Sequence, residues 1–146
     1  MMTSVQKLRE ETGAGVMDCK RALDEAKGDY EKAKKILDEK GILNAERKAS
    51  RATGAGVLEA YVHNNRVGVL LELRCETDFV GRAEPDKNLA HNLVLHIAAM
   101  APETIEVFLS QPYVKDESRT VEEVIKGVIA IVGENLKVER FARYQI

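Results

Sequence analysis

Residues 66–80 read Arg66-Val67-Gly68-Val69-Leu70-Leu71-Glu72-Leu73-Arg74-Cys75-Glu76-Thr77-Asp78-Phe79-Val80. Val67, Val69, Leu71 and Leu73 alternate, and a period of two places all four on one face of a strand. Val57-Leu58-Glu59-Ala60-Tyr61-Val62-His63 reads as a second strand, and Asn64-Asn65 between them is a turn pair. The two form a hairpin with one buried face. The run after it, Cys75 to Val80, sets an acidic residue beside a bare aromatic, with Gly81 following. Two readings are open. Thr77 or Asp78 caps a helix and Phe79 seals the edge of the core, or Phe79 points outward to be buried by something else. On this run alone the first is the ordinary outcome.

C-terminal to the hairpin, Glu84-Pro85-Asp86 leads into a helix from about Lys87 to Met100. Leu89, Leu93, Ile97 and Met100 line one face, and Ala90, Val94, Leu95, Ala98 and Ala99 widen it, so this helix is well buried. Thr104 to Ser110 reads as a short helix and Gln111 to Asp116 as an exposed loop. Thr120 with Glu123 forms a capping box ahead of Val121, Val124, Ile125, Val128, Ile129 and Val132, and Gly133 ends that helix. Leu136 to Tyr144 is a last strand, pairing most simply with the hairpin. Its Phe141 is out of phase with Leu136, Val138 and Ala142, which puts apolar groups on both faces. A small sheet with a second apolar face often meets a partner or a second copy.

N-terminal to the hairpin lie three short helical patterns. Val5 and Leu8 mark the first, which Gly13-Ala14-Gly15 ends. Val16, Cys19, Ala22, Leu23 and Ala26 mark the second, broken at Gly28-Asp29; Tyr30, Ala33, Ile36 and Leu37 mark the third, which Gly41 stops. None is long enough to be stable alone, so the three pack together. The expected organisation is a three-helix module at 1–43, a linker at 44–55 (NAERKASRATGA), and a core domain at 56–146. The fold class is α+β: a helical bundle, then a three-stranded antiparallel sheet packed with helices.

The 146 residues are 45% hydrophobic and 32% charged, as in an ordinary globular protein. A net charge of −2 offers no broad basic field for phosphate backbones, so direct nucleic-acid binding is not expected. No apolar run approaches the roughly 20 residues of a membrane span, and Met1 leads into polar sequence without a signal-peptide core. A cytoplasmic location is expected. Cys19 and Cys75 lack close spacing, and His63, His91 and His96 make no zinc signature. Thr12-Gly13-Ala14-Gly15-Val16 lacks the full phosphate-loop pattern and a preceding strand, so a tight interhelical turn is the default. With no nucleophile, acid–base or metal constellation, the residues point away from an enzyme and toward a binding module.

More specific blocks then decide between the readings. Leu8-Arg9-Glu10-Glu11-Thr12-Gly13-Ala14-Gly15-Val16-Met17-Asp18-Cys19-Lys20-Arg21-Ala22-Leu23 resembles the N-terminal signature of the bacterial elongation factor Ts family. Val67 through Val80 resembles its second signature. Leu95-His96-Ile97-Ala98-Ala99-Met100, Gln111 to Asp116, and Gly133-Glu134-Asn135-Leu136 with Arg140-Phe141 match in the family's order. The resemblance implies an exchange factor for the GTPase elongation factor Tu, with no cofactor or metal of its own. It implies a ubiquitin-associated-like fold for the N-terminal module. The family's Asp-Phe pair maps onto Asp78 and Phe79, within the run Thr77 to Val80. In family members that pair wedges between two helices of the GTPase beside its magnesium site. Lys20 matches a family contact position, with Met17 close by; His96 and Val114 map near other contact regions. The chain departs from the pattern in having Gly81 and Ala83 where Ala and Asn are usual, and in a shorter stretch between Met100 and Gln111. It resembles the short, single-core form, which pairs as a homodimer through its sheet. Phe141-Ala142-Arg143 has no cysteine, so a disulfide-linked pair is not expected.

Overall fold

The structure, a computed structural model, describes residues 3–146. Three helices come first: α1 (Ser4–Thr12), α2 (Val16–Glu25) and α3 (Tyr30–Lys48). Thr3 and Gln6 close a capping box on α1, and Gly13 ends it in the left-handed conformation (φ 70°). Asp29 caps α3 by accepting from the Lys32 amide. Leu8, Cys19, Ala22, Ala26, Ala33 and Leu37 are buried together as the core of this bundle.

Gly41 does not stop the third helix; α3 runs on to Lys48, through the first residues of the expected linker. A Cβ at Gly41 would lie 3.3 Å from the Ala130 side chain on the later helix α7 (Val121–Val132). The glycine serves a close helix–helix approach there. Ala45, one turn further along α3, is already part of the larger core.

The hairpin forms as the alternation demands, with β1 (Ala55–His63) antiparallel to β2 (Val67–Cys75). Asn64 and Asn65 both have positive φ (51° and 58°), the pair of values that a type I′ turn needs. The last strand, β5 (Lys137–Gln145), pairs antiparallel with β2, giving the order β1-β2-β5. Val69, Leu71 and Leu73 face a core shared with Leu89, Ala90, Leu93, Val94 and Ile97 of α5 (Glu84–Met100) and Val121, Val124, Ile125 and Ile129 of α7. The Thr120–Glu123 capping box on α7 is present.

A bulge accounts for the phase of Phe141. Glu72 pairs with Arg140 but Leu73 pairs with Val138, leaving Glu139 as an extra residue. Phe141 therefore returns to the core side, opposite Leu71, and meets Phe108 edge-on. The outer face is still apolar, through other residues: Leu58, Val62, Leu70 and Tyr144 are all exposed.

Two further details differ from expectation. Met100 is exposed, because α5 ends there in a left-handed Ala101. Gln111 to Asp116 is not a simple exposed loop. After α6 (Ile105–Ser110), strands β3 (Pro112–Tyr113) and β4 (Asp116–Thr120) form a small second sheet, and Tyr113 is buried. No helix among the described residues is long and apolar enough to cross a membrane.

Candidate functional site

Beyond β2 the chain turns sharply into one helical turn, α4 (Asp78–Gly81). Thr77 caps it: its hydroxyl accepts from the Val80 amide at 3.4 Å, and its carbonyl accepts from Gly81 N at 3.2 Å. The outcome combines both readings of the sequence. Val80, not Phe79, seals the core edge, at 5% exposure, while Phe79 stands 85% exposed beside exposed Asp78. A large aromatic held this far into solvent loses its burial energy, roughly 2 to 3 kcal/mol, until another surface covers it.

The base of the turn is fixed by groups distant in sequence. Glu134, just after α7, accepts from Thr77 N at 3.0 Å with one carboxylate oxygen and from Thr77 Oγ1 at 2.7 Å with the other. In the reverse direction, Glu76 accepts from Asn135 N at 3.1 Å, and Arg51 lies 3.7 Å from the same carboxylate. The Asn135 side-chain amide donates to the Arg51 carbonyl at 3.0 Å and to that of Ala49 at 3.4 Å. Residues 76–77, 134–135 and the connection after α3 are thus laced together. Cys75 is buried and donates to the Thr77 carbonyl at 3.1 Å; burial pushes its thiol up, which makes it inert.

Asp86, in the first turn of α5, is fully buried, and neither carboxylate oxygen has a hydrogen-bond partner among the described residues. Burial, with the Glu134 carboxylate as a second cause, pushes its pKa up to about 6. Gly81 is buried in ordinary helical backbone; an added Cβ would sit 3.4 Å from Cys75 Sγ. The alanine usual in the resembled family would meet only close van der Waals contact there.

The remaining candidate residues lie in two other places. Met17 and Lys20 are exposed on α2, three residues apart and so on one helical face, next to exposed Val16. Val114 is exposed at the β3–β4 turn. His96 is different: it is fully buried, so its side chain does not itself present a contact surface. Val114 N donates to its Nδ1 at 3.1 Å, which leaves Nε2–H to donate to Gln111 Oε1 at 2.9 Å. The ring also stacks on Tyr113, with centroids 6.0 Å apart. His96 therefore holds the small sheet that carries Val114. Burial lowers its pKa, against the opposing hydrogen bond with Gln111, and favours the neutral ring. Among the described residues no cluster of His, Cys, Asp or Glu is arranged to hold a metal ion.

Sequence reasoning assigned no role to Glu76, Glu134, Asn135 or Asp86. Gly133-Glu134-Asn135-Leu136 stood out as a block, but its partner lies 57 residues away across the fold. Nothing in the local pattern around Asp86 marks it for burial.

Val80 thus anchors the turn in the core while Phe79 beside it projects into solvent. The family model described as elongation factor TS matches residues 23–107. The elongation factor Ts of Thermotoga maritima is 41% identical over 189 positions, covering 99% of this chain and 95% of that protein. That of Coprothermobacter proteolyticus is 39% identical over 188 positions, covering 97% and 95%.

The chain belongs to the elongation factor Ts family.

A chloroplastic elongation factor Ts from Cyanidioschyzon merolae is similar too, at 42% identity over 193 positions, covering 99% of this chain and 92% of that one. Alignments of 188 to 193 positions exceed the 146 residues of this chain, so these elongation factor Ts relatives carry upward of 40 residues that it lacks. Between Met100 and Gln111 this chain holds only the short helix α6.

Proposed function

We propose that this protein is a guanine-nucleotide exchange factor that binds GDP-bound elongation factor Tu and speeds GDP release during translation elongation. The observation that carries the reading is Phe79, 85% exposed beside Asp78 on a turn anchored by buried Val80. Phe79 supplies the apolar anchor of an interface hot spot, and Asp78 a directed polar contact. A GTPase holds the β-phosphate of its nucleotide through a magnesium ion and loop amides. A wedge driven in beside that cradle favours the nucleotide-free conformation, and GDP leaves. The process is differential binding, with no covalent step and no cofactor held by this chain, so the protein is not an enzyme. Met17 and Lys20 on α2 and Val114 on the β3–β4 turn supply further contacts, with His96 acting through Val114. The site of action is the cytoplasm.

The test is release of a fluorescent GDP from elongation factor Tu. Truncating a hot-spot aromatic costs about 2 kcal/mol or more, so Phe79→Ala should lose roughly 30-fold or more of the acceleration. Unchanged acceleration in that variant would refute the wedge.

A second reading has its own observation. This chain lacks upward of 40 residues that its relatives carry. On that reading the protein docks on the GTPase without exchanging nucleotide, and GDP release is the same with and without it. Pairing of two copies through the outer sheet face is a separate proposal, supported by exposed Leu58, Val62, Leu70 and Tyr144. Sedimentation of the intact protein against Leu70→Glu tests it; identical monomeric behaviour would refute it.

A further inference from the structure

We infer that Glu134 is a positioning residue for exchange, holding the Thr77–Val80 turn so that Phe79 enters its partner pre-aimed. This inference rests on the exchange reading above.

Among the described residues, every other hydrogen bond made by residues 77–80 is local, within four positions. Local bonds shape a helical turn but do not orient it against the body of the molecule. Burial of Val80 and Gly81, the latter beside Cys75 and β1, holds the C-terminal side of the turn. Glu134 holds the opposite end, at Thr77, with bonds of 3.0 and 2.7 Å, and attachment at both ends fixes an orientation.

The chemistry of the contact is particular to a carboxylate. A threonine hydroxyl has one proton and two lone pairs. An ionised carboxylate only accepts, so Thr77 Oγ1–H must point at Glu134, which leaves a lone pair for the Val80 N–H. Glu134 thereby sets the direction of the cap as well as the position of Thr77. Both bonds to it are charge-assisted, the stronger class. Glu134 follows directly on Gly133, whose left-handed conformation (φ 76°) ends α7, so the carboxylate is borne by a packed element. The neighbouring Asn135 N–H is in turn held by Glu76, on the near side of the turn. The two carboxylates make a reciprocal pair across the same junction.

Pre-aiming has a kinetic signature. A wedge that is free to rock still docks, but less of the bound complex holds the productive geometry. The concentration giving half-maximal effect should move little, while the maximal release rate falls.

The experiment measures maximal GDP-release rate and half-saturating concentration for the intact protein, Glu134→Ala, Glu134→Gln, Thr77→Val, and the Glu134→Ala/Thr77→Val pair. Amide hydrogen exchange of Thr77 and Val80 is followed in each free protein. Glu134→Ala should lower the maximal rate on the order of tenfold, a size typical of a charge-assisted hydrogen bond, with half-saturation within about twofold. Glu134→Gln keeps an acceptor for the Thr77 amide and should fall between. The double variant should lose less than the sum of the two single losses, since both single variants remove the same hydroxyl–carboxylate bond. Exchange at position 77 should quicken in both variants that carry Glu134→Ala, and exchange at Val80 in both that carry Thr77→Val. If Glu134→Ala does not fold, Glu134→Gln and Thr77→Val decide alone. Rates equal to the intact protein, fully additive losses, or undisturbed exchange at Thr77 would each overturn the role of Glu134. Failure of the intact protein to accelerate release overturns the exchange reading and this inference with it, and the intact arm separates that result from loss of the clamp alone.

Discussion

Replacing Asp86 with asparagine should stabilise the protein above neutral pH and do little in acid. Asp86 is fully buried, its carboxylate oxygens have no partner among the described residues, and burial raises its pKa from an ordinary 3.8 to about 6. A raised carboxyl pKa means that the folded state holds the proton more tightly than the unfolded chain. The stability of the protonated form is therefore fully present below about pH 4 and is lost as pH rises through 6. A shift of roughly two units at about 1.4 kcal/mol each gives about 3 kcal/mol lost by pH 7 to 8. Asparagine keeps the shape and neutrality of the protonated acid and does not ionise. The difference between Asp86→Asn and the intact protein should grow from near zero at pH 4 to about 3 kcal/mol at pH 8. With a urea dependence of about 2 kcal/mol per molar, the unfolding midpoint of the variant should be higher by roughly 1 to 2 M at pH 8. Urea titrations at unit steps from pH 4 to 8 measure this. A difference that is constant across the range, or that favours the intact protein at pH 8, would refute the reasoning.

Two other outcomes follow from the geometry. Gly13 sits at φ +70°, and an added Cβ would lie 2.6 Å from Ile131 Cγ1 on α7, so Gly13→Ala combines backbone strain with a clash. It should lower stability by about 1 to 3 kcal/mol in thermal or urea unfolding, and an unchanged midpoint would contradict the packing of the bundle on α7. For His96 the sign opposes that of Asp86. Its pKa is depressed below 6.5, so its contribution is present above that value and is lost as pH falls through the folded pKa. The stability advantage of the intact protein over His96→Asn should shrink from pH 7.5 to pH 5, and an advantage that is flat or grows in acid would contradict the buried neutral ring.

The parts of the fold that were legible in the sequence are those set by neighbours in the chain. Alternation from Val67 to Leu73, the Asn64-Asn65 pair and the Thr120–Glu123 box each act over a few residues, and each formed as read. The misread parts depend on distant partners. Gly41 looks like a helix stop because its purpose is the approach of Ala130, nearly ninety residues on. Phe141 looks out of phase because the bulge at Glu139 is a property of the β2–β5 pairing, not of one strand. Gln111 to Asp116 holds a strand of two residues, too short for any period to register. The same division runs through the site. The exposed Phe79 was one of two open readings of its own short run. The Glu134 clamp and buried Asp86 emerge only when α7, α5 and the end of β2 meet.

The measurement that tests the central claim most directly is stopped-flow release of fluorescent GDP from elongation factor Tu, with the intact protein and with Phe79→Ala. Exchange by the Asp78-Phe79 wedge predicts strong acceleration at substoichiometric amounts, nearly abolished by Phe79→Ala although the variant remains folded. Equal release with the intact protein and with none would contradict it, and would leave a member of the family that docks on the GTPase without exchanging its nucleotide.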